Sequence, residues 1–511
     1  MSSSPETLEL TDLVLIVSVS GVTTLNVFLS GALTVALPTI GRDLHFKQSD
    51  LQWPLNVYAQ VIPPGFLSYG CFLLFFGRLS DIIGGRFMFL VGSIWFSVWS
   101  LATAFAPRSE VFIAFVAAMG LGAAANTPSG LGLFAAFFPP GGKRNKAYGV
   151  LGAGQPLGFI LGLIFGGILA ESKATWRAVF YIQSGLGLLF VLLGFFCLSK
   201  VPSAPQYNKG IDWGGALLSC IGIGLLTYSL AASTTARRGW ATPQIPSLFA
   251  GSIAILIVFV LYERRREIRG QSVLLPISMW KQPAARMTSI MAIQFFAWWS
   301  FNTLAYLMTL YYQQVILLNP LQTALRFVPM TAAGVIVNIV TGYVMNRIPG
   351  QQLIIVGALG SIVAPLIFAL MDIHGSYWST AFLVMLFIVG ADVVYPVGNL
   401  HLVSVFDEDS QSLAGGLFNV ASRLGTSLGL AVSSSVATAI SQKFQRRHPD
   451  LPLDSPDVLM AGFRAAGWTC LAISVLGFVS ALVGLRGIGI VGQSPGRHVP
   501  SKPPPKADVD C

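Results

Sequence analysis

Long apolar runs separated by short polar segments dominate the chain from residue 13 to residue 487. A helix needs about 20 mostly apolar residues to cross a bilayer core of roughly 30 Å. Fourteen runs fit or approach that length: 13–40, 52–76, 87–106, 111–138, 147–170, 178–199, 213–232, 246–262, 287–316, 325–346, 353–371, 378–404, 412–440 and 465–487. The first and ninth are longer than a bilayer requires, so they tilt or extend past the core. The seventh and eighth are the weakest pair, being Gly-rich and short. The pattern predicts an all-α integral membrane protein of about fourteen transmembrane helices.

Composition narrows the choice. Of the 511 residues, 54% are hydrophobic and 10% are charged, against about 25% charged in a typical soluble protein. Mean hydropathy is +0.70. A soluble enzyme, a disordered chain and a free nucleic-acid binder are excluded, because so little charge cannot cover a water-exposed surface. The net charge of +10 comes from cations scattered between apolar runs. With the N-terminus inside, about 18 Lys and Arg fall on cytoplasmic segments and about 11 outside, so the positive-inside bias favours N-in, C-in. Lys143, Arg144 and Lys146, and Arg264 to Arg266 with Arg269, are the strongest inside clusters; Lys443, Arg446 and Arg447 are the exception. Residues 1–12 hold Glu6 and Glu9 and no basic residue, the wrong flank for a signal peptide. The five cysteines show no paired spacing, so neither a disulfide framework nor a zinc site is expected.

The chain repeats itself. Gly122, Pro128 and Gly130 match Gly390, Pro396 and Gly398 at an offset of 268. Ala147, Gly149, Leu157, Gly158, Leu161, Gly162 and Leu163 match Ala414, Gly416, Leu424, Gly425, Leu428, Gly429 and Leu430 at 267, and Gly77 and Asp81 match Gly342 and Asn346 at 265. Three consecutive regions sharing nearly one offset divide the chain. A cytoplasmic segment 1–12 precedes a six-helix half 13–200. A linker with two inserted helices spans 201–285. A second six-helix half covers 286–488, and 489–511 is a cytoplasmic tail. Two similar halves around a cleft are the architecture of an alternating-access carrier.

The stretch GRLSDIIGGR at 77–86 resembles the signature loop of the major facilitator superfamily, with Gly77, Leu79, Asp81, Gly84 and Arg86 in place. LQWPLNVY (51–58), WRAVFYI (176–182) and YYQQVILLNPLQTALRFVPM (311–330) are similar to the fourteen-span drug:proton antiporter branch, and most to fungal aminotriazole-resistance-like exporters. The resemblance covers roughly 13–488 and implies the major facilitator fold. It also implies export of small organic or toxic compounds. Gly77, Asp81, Gly84 and Arg86 form the gating loop, where Asp81 can pair with Arg86 or a neighbouring helix and hold one conformation closed. The sequence departs from the branch elsewhere. Leu29 stands where an Asp is usual in span 1, Val116 and Met119 replace the Arg and Gln of span 4, and Leu163 interrupts the antiporter motif of span 5.

Candidate functional residues follow from polarity inside spans. Asp392 and Arg423 are the main intramembrane charges, each costing about 2.5–3.5 kcal/mol at a helix centre on insertion scales. They are candidates for proton coupling, or for a static pair between spans 12 and 13. Asn26, Gln60, Asn126, Gln155, Gln294, Asn302 and Asn419 are amides that belong in a cleft or between helices. Trp298 is the aromatic placed at the cleft, while Tyr311, Tyr312 and Trp53 read as an interfacial belt. Trp95 and Trp99 add to an apolar, aromatic setting suited to mid-sized organic compounds. Pro63, Pro64, Pro128 and Pro396 are hinges or tolerated kinks.

No H-E-x-x-H, phosphate loop or C-x-x-C occurs, so neither an enzyme nor an ATP-driven pump is expected, and no cofactor or metal. The partners expected are a small-molecule substrate, protons and the bilayer, with no nucleic acid and a monomeric carrier. The preferred function is proton-coupled export at the plasma membrane, the vacuolar membrane being the alternative site. A proton-independent facilitator or uptake carrier remains open, as does a transport-inactive receptor of the same fold.

Overall fold

The computed structural model of the protein describes residues 9–46, 69–197, 210–236, 239–373, 375–407 and 410–491. The sequence expectations for Gln60, Trp53, Pro63 and Pro64 lie outside the described residues, as do those for 201–209 and for the tail beyond 491.

The described chain is helical throughout: α1 (Leu10–Asp43), α2 (Tyr69–Ile83), α3 (Gly85–Ala104), α4 (Ser109–Phe137), α5 (Gly142–Glu171), α6 (Arg177–Cys197), α7 (Trp213–Thr235), α8 (Gln244–Ile268), α9 (Met287–Leu310), α10 (Pro320–Val344) and α11 (Gly350–Ala369). These are followed by α12 (Ala381–Val405), α13 (Gln411–Arg447) and α14 (Pro456–Gly484). α12 is in two pieces, Ala381–Phe387 and Gly390–Val405. Among the described residues, 12 helices are long and apolar enough to cross a membrane; α2 and α9 are not among them. Backbone groups in lipid must be satisfied within the segment, which is why apolar runs of this length become helices. Local signals set several ends. Asp212 accepts the N–H of Gly215 at 2.9 Å to start α7, and Asn319 and Gln322 form a capping box at α10.

Packing repeats with the sequence. α1 lies against α5 and α6, α3 against α4 and α6, and α2 against α4. Eight helices on, α9 lies against α13 and α14, α11 against α12 and α14, and α10 against α12. The repeated glycines are the contact points. A Cβ on Gly122 would come within 2.7 Å of Gly92 O, and one on Gly390 within 2.2 Å of Gly357 O. Two seams then join the sets, α5 with α10 and α2 with α13. Gly149 faces Gly342 in the first, and Gly416 faces Leu73 O in the second. α7 and α8 pack on each other, and α7 touches α2 and α13.

The α1–α5 contact allows no side chain at Gly162, where a Cβ would lie 2.1 Å from Phe28 O. Overpacking of this kind costs about 1–3 kcal/mol. Gly162→Ala is therefore expected to lower the melting temperature of the purified protein in a thermal scan; an unchanged midpoint would mean that the contact is slack.

Two expectations are corrected. Tyr311 and Tyr312 are not an interfacial belt: they are buried, in a π-helical turn after α9. Tyr312 packs on Phe327, under the Arg326 guanidinium. Their apolar neighbours on α10 and α12 claim the rings before lipid does. Trp95 and Trp99 pack on each other at a tilt on α3, with Trp99 against Phe115 of α4, so they do not face a cleft.

Candidate functional site

A cavity of about 190 Å³ lies between α1, α4 and α5 on one side and α9, α10, α12 and α13 on the other. It receives Asn26, Gln155, Trp298, Asn302, Asp392, Asn419 and Arg423, seven of the residues expected in a cleft. Apolar surface comes from Val27, Phe159, Phe301, Ala305 and Met330. Trp298 packs at a tilt on Tyr395 with centroids 5.1 Å apart, and the Tyr395 hydroxyl donates to Asn419 Oδ1 at 3.3 Å. Asn419 Nδ2 donates in turn to Gly415 O at 2.9 Å, and Asn302 Nδ2 to Trp298 O at 3.1 Å. Each i to i−4 bond uses one of the two N–H groups of its amide.

Two expected residues sit behind the wall. Asn126 accepts from Asn26 Nδ2 at 2.9 Å, which ties α4 to α1 and orients Asn26. Gln294 Nε2 donates to Ser422 Oγ at 2.7 Å between α9 and α13. They are helix-to-helix bonds that position the lining.

Asp392 is buried in the first turn of the second piece of α12. The break in α12 puts a helix N-terminus at mid-span, and its partial positive charge favours a carboxylate there. Asp392 Oδ2 nevertheless has no hydrogen-bond partner. Arg423 borders the same cavity from α13. The salt bridges among the described residues lie elsewhere, at Lys143–Asp12 and Arg266–Asp212. Asp392 and Arg423 thus border one cavity, and no salt bridge joins the two among the described residues.

The loop expected to gate, 77–86, lies where the α2–α13 seam closes. Asp81 accepts the backbone N–H of Ser412 at 3.0 Å and of Leu413 at 2.9 Å, at the N-terminus of α13. It therefore pairs with a helix of the other set and not with Arg86, the partner first considered. Gly77 allows this approach, since a Cβ there would come within 3.0 Å of Ser412 O. Gly84, at φ 113°, makes the turn into α3 in a region that L side chains rarely adopt. The repeat supplies a neutral counterpart at the other seam, where Asn145 Nδ2 donates to Asn346 Oδ1. Asn145 also reaches Val491 O at 3.3 Å, so the chain after α14 crosses this end.

Residues 19–430 match the family model of the Major Facilitator Superfamily. The chain belongs to that family: a multi-pass, all-helical membrane transporter. Among its relatives is "MFS-type transporter 1" of Pyricularia oryzae, 32% identical over 530 residues, covering 93% of this chain and 84% of that protein. The "Low affinity ammonium transporter" of Saccharomyces cerevisiae is 24% identical, covering 84% and 80%. "Efflux pump terJ" of Aspergillus terreus is 23% identical, covering 88% and 83%. The solved human organic anion transporter MFSD10 shares the fold with a TM-score of 0.59 at 15% identity, over 92% of this chain and 97% of that one.

The residues missed from sequence are Thr127 and Tyr395, together with Phe159, Phe301 and Met330. The first two had a signal. They occupy equivalent places in the repeat, at the same offset of 268 as Pro128 and Pro396, and both line the cavity.

Proposed function

We propose that this protein exports small organic, often toxic, compounds by alternating access, driven by proton influx through Asp392. It would act as a fourteen-span member of the drug:proton antiporter branch, similar to aminotriazole-resistance exporters. In this reading α2 and α9 also cross the membrane, 13–200 and 286–488 are the two moving halves, and α7 and α8 are an insert. The N-terminus is inside, so the Asp81 and Asn145 contacts close the cytoplasmic end.

One observation carries the reading: a single buried carboxylate, with an unpartnered oxygen, borders a cavity shared by both helix sets. Such a group can hold a proton or a cationic substrate in turn, and a change of occupant changes which set it favours. The lining suits amphipathic organic compounds, with ring faces at Trp298 and Tyr395 and amides at Asn26, Gln155 and Asn419. At about 190 Å³ the cavity is below the roughly 300–1,000 Å³ of pockets that enclose drug-sized ligands. Either the cargo is small or the halves part to admit it. The relative named an efflux pump supports the direction of transport.

A proton-independent carrier is the second reading. Leu29 and Val116, at the two positions where the branch usually carries charge, are fully buried in apolar packing, and the relative named an ammonium transporter moves a small nutrient. Flux of a panel of toxic organic compounds in sealed vesicles, with and without an imposed pH gradient, separates the two. Accumulation against a concentration gradient only when protons run inward is the expected result. Equal flux in both conditions would sink the antiport reading.

A further inference from the structure

Three helices meet just inward of the cavity, and the residue at their junction belongs to no motif singled out above. Asn338 of α10 is buried and faces Asp392 of α12. Its Nδ2 donates to Gly334 O at 2.9 Å. Gly334 in turn lies under Asp392, since a Cβ there would be 3.1 Å from Asp392 Oδ2 and 3.2 Å from Pro156 of α5. The other end of the amide crosses the seam. Asn338 Oδ1 rests on Gly152 of α5, where a Cβ would come within 2.1 Å of it. Both Asn338 Oδ1 and Asp392 Oδ2 are buried without a hydrogen-bond partner.

We propose that Asn338 is a positioning residue that ties the charge of Asp392 to closure of the α5–α10 seam, an inference that rests on the proton-coupled reading above. An amide nitrogen has two N–H groups. One goes to Gly334 O, and the second is available to an ionised Asp392. Held from both sides, the amide keeps Oδ1 seated on Gly152, and the two helix sets stay in register. A proton arriving from the cavity converts the carboxylate to a carboxylic acid. The acid attracts the N–H more weakly than the carboxylate and has an O–H to donate, and the unpartnered acceptor beside it is Asn338 Oδ1. Turning to meet it lifts Oδ1 off Gly152 and releases the seam. Loading of a proton and opening towards the cytoplasm are then one event. Among the described residues, the titratable side chains that line the cavity around Asp392 are Arg423 of α13 and Tyr395 of α12; α1, α4, α5, α9 and α10 bring none to it, and α11 contains none.

The test uses the full chain in lipid nanodiscs. Spin labels at Phe87, near the start of α3, and Gln352, near the start of α11, report the inter-set distance across pH. Infrared absorption of the carboxylic C=O, identified by its loss in Asp392→Asn, reports the proton itself. In the wild type, band and distance are expected to follow one pH curve. In Asn338→Leu the band should still titrate while the pH response of the open-to-closed ratio falls about 5–150-fold, the span of ordinary coupling between sites. Gly152→Ala should uncouple in the same way with the amide intact, because the added methyl takes the seat of Oδ1; this second route guards against a folding defect at Asn338. A distance that follows pH in both variants as in the wild type would overturn the role of Asn338. A distance that still follows pH in Asp392→Asn would overturn the proton reading itself, and the inference with it.

Discussion

Replacing Asp392 with Asn is expected to abolish proton-driven accumulation while leaving the protein folded. The side chains are nearly the same size, and the amide keeps an oxygen that can still accept from Asn338. Loss of the ionisable group is a different matter. A gradient of one pH unit stores about 1.4 kcal/mol per proton, enough for about tenfold accumulation of a substrate exchanged one for one. Without a carboxyl in the cavity the gradient has no handle, and the inside-to-outside ratio of a tested compound should collapse to unity. Passive exchange of labelled compound can persist, because the amide and aromatic lining is unchanged. Accumulation that survives in Asp392→Asn would move proton coupling elsewhere and leave Asp392 as a structural residue. Flux unchanged by both the mutation and the gradient would make the protein a facilitator.

Asp81→Ala is expected to destabilise the closed α2–α13 seam by more than a neutral change at the α5–α10 seam. The carboxylate accepts two backbone N–H groups at the N-terminus of α13. Bonds of this kind to a charged acceptor contribute about 1.5–3 kcal/mol, and the helix dipole favours the negative charge further. Opening must break both bonds, since α2 and α13 sit on opposite sides of the seam. Losing even one bond's worth shifts the open-to-closed ratio by roughly 10–150-fold. The Phe87–Gln352 distance distribution should therefore move towards the longer population. Asp81→Asn keeps one acceptor oxygen and should fall between. Asn346→Ala at the neutral seam removes a single uncharged bond and should shift the ratio least, by about 0.5–1.5 kcal/mol. Equal shifts at the two seams would show that charge at Asp81 contributes nothing to closure.

Much of this architecture was legible because lipid imposes few choices. Apolar runs of bilayer length must be helices, so the spans read directly from residue 13 onward. Lengths were less secure. α1 runs to Asp43 and α13 to Arg447, beyond the apolar stretches, because a helix continues while its backbone bonds are cheaper to keep than to break. The repeat was legible through its glycines, because close helix contact admits no Cβ and so marks the chain at fixed intervals. Gly122 and Gly390 are such marks, and each meets a glycine of the preceding helix.

The site was half legible. Asn26, Gln155, Trp298, Asn302, Asp392, Asn419 and Arg423 stood out because polar or large amphipathic groups are costly against lipid, and they converge on one cavity. Cost alone does not say which cost is met by a neighbour and which is left for a ligand. Asn126 and Gln294 looked no different from Asn302 in the sequence, yet each bonds to another helix, while Asn302 turns back on its own helix at the cavity. Tyr311 and Tyr312 looked like membrane anchors until α10 and α12 covered them.

By itself, then, the sequence determined that the chain is a helical membrane protein, that it is built twice over, and which few polar side chains its bilayer environment makes expensive. Those properties depend on local composition and spacing. Only the tertiary structure decided that Asp81 holds α13 and not Arg86, and that Asp392 and Arg423 border one cavity. It also decided that an unremarkable Asn338 lies between that carboxylate and a glycine of the opposite helix set. Such contacts join residues hundreds of positions apart, and their partners are chosen by how whole helices cross, which no local pattern encodes.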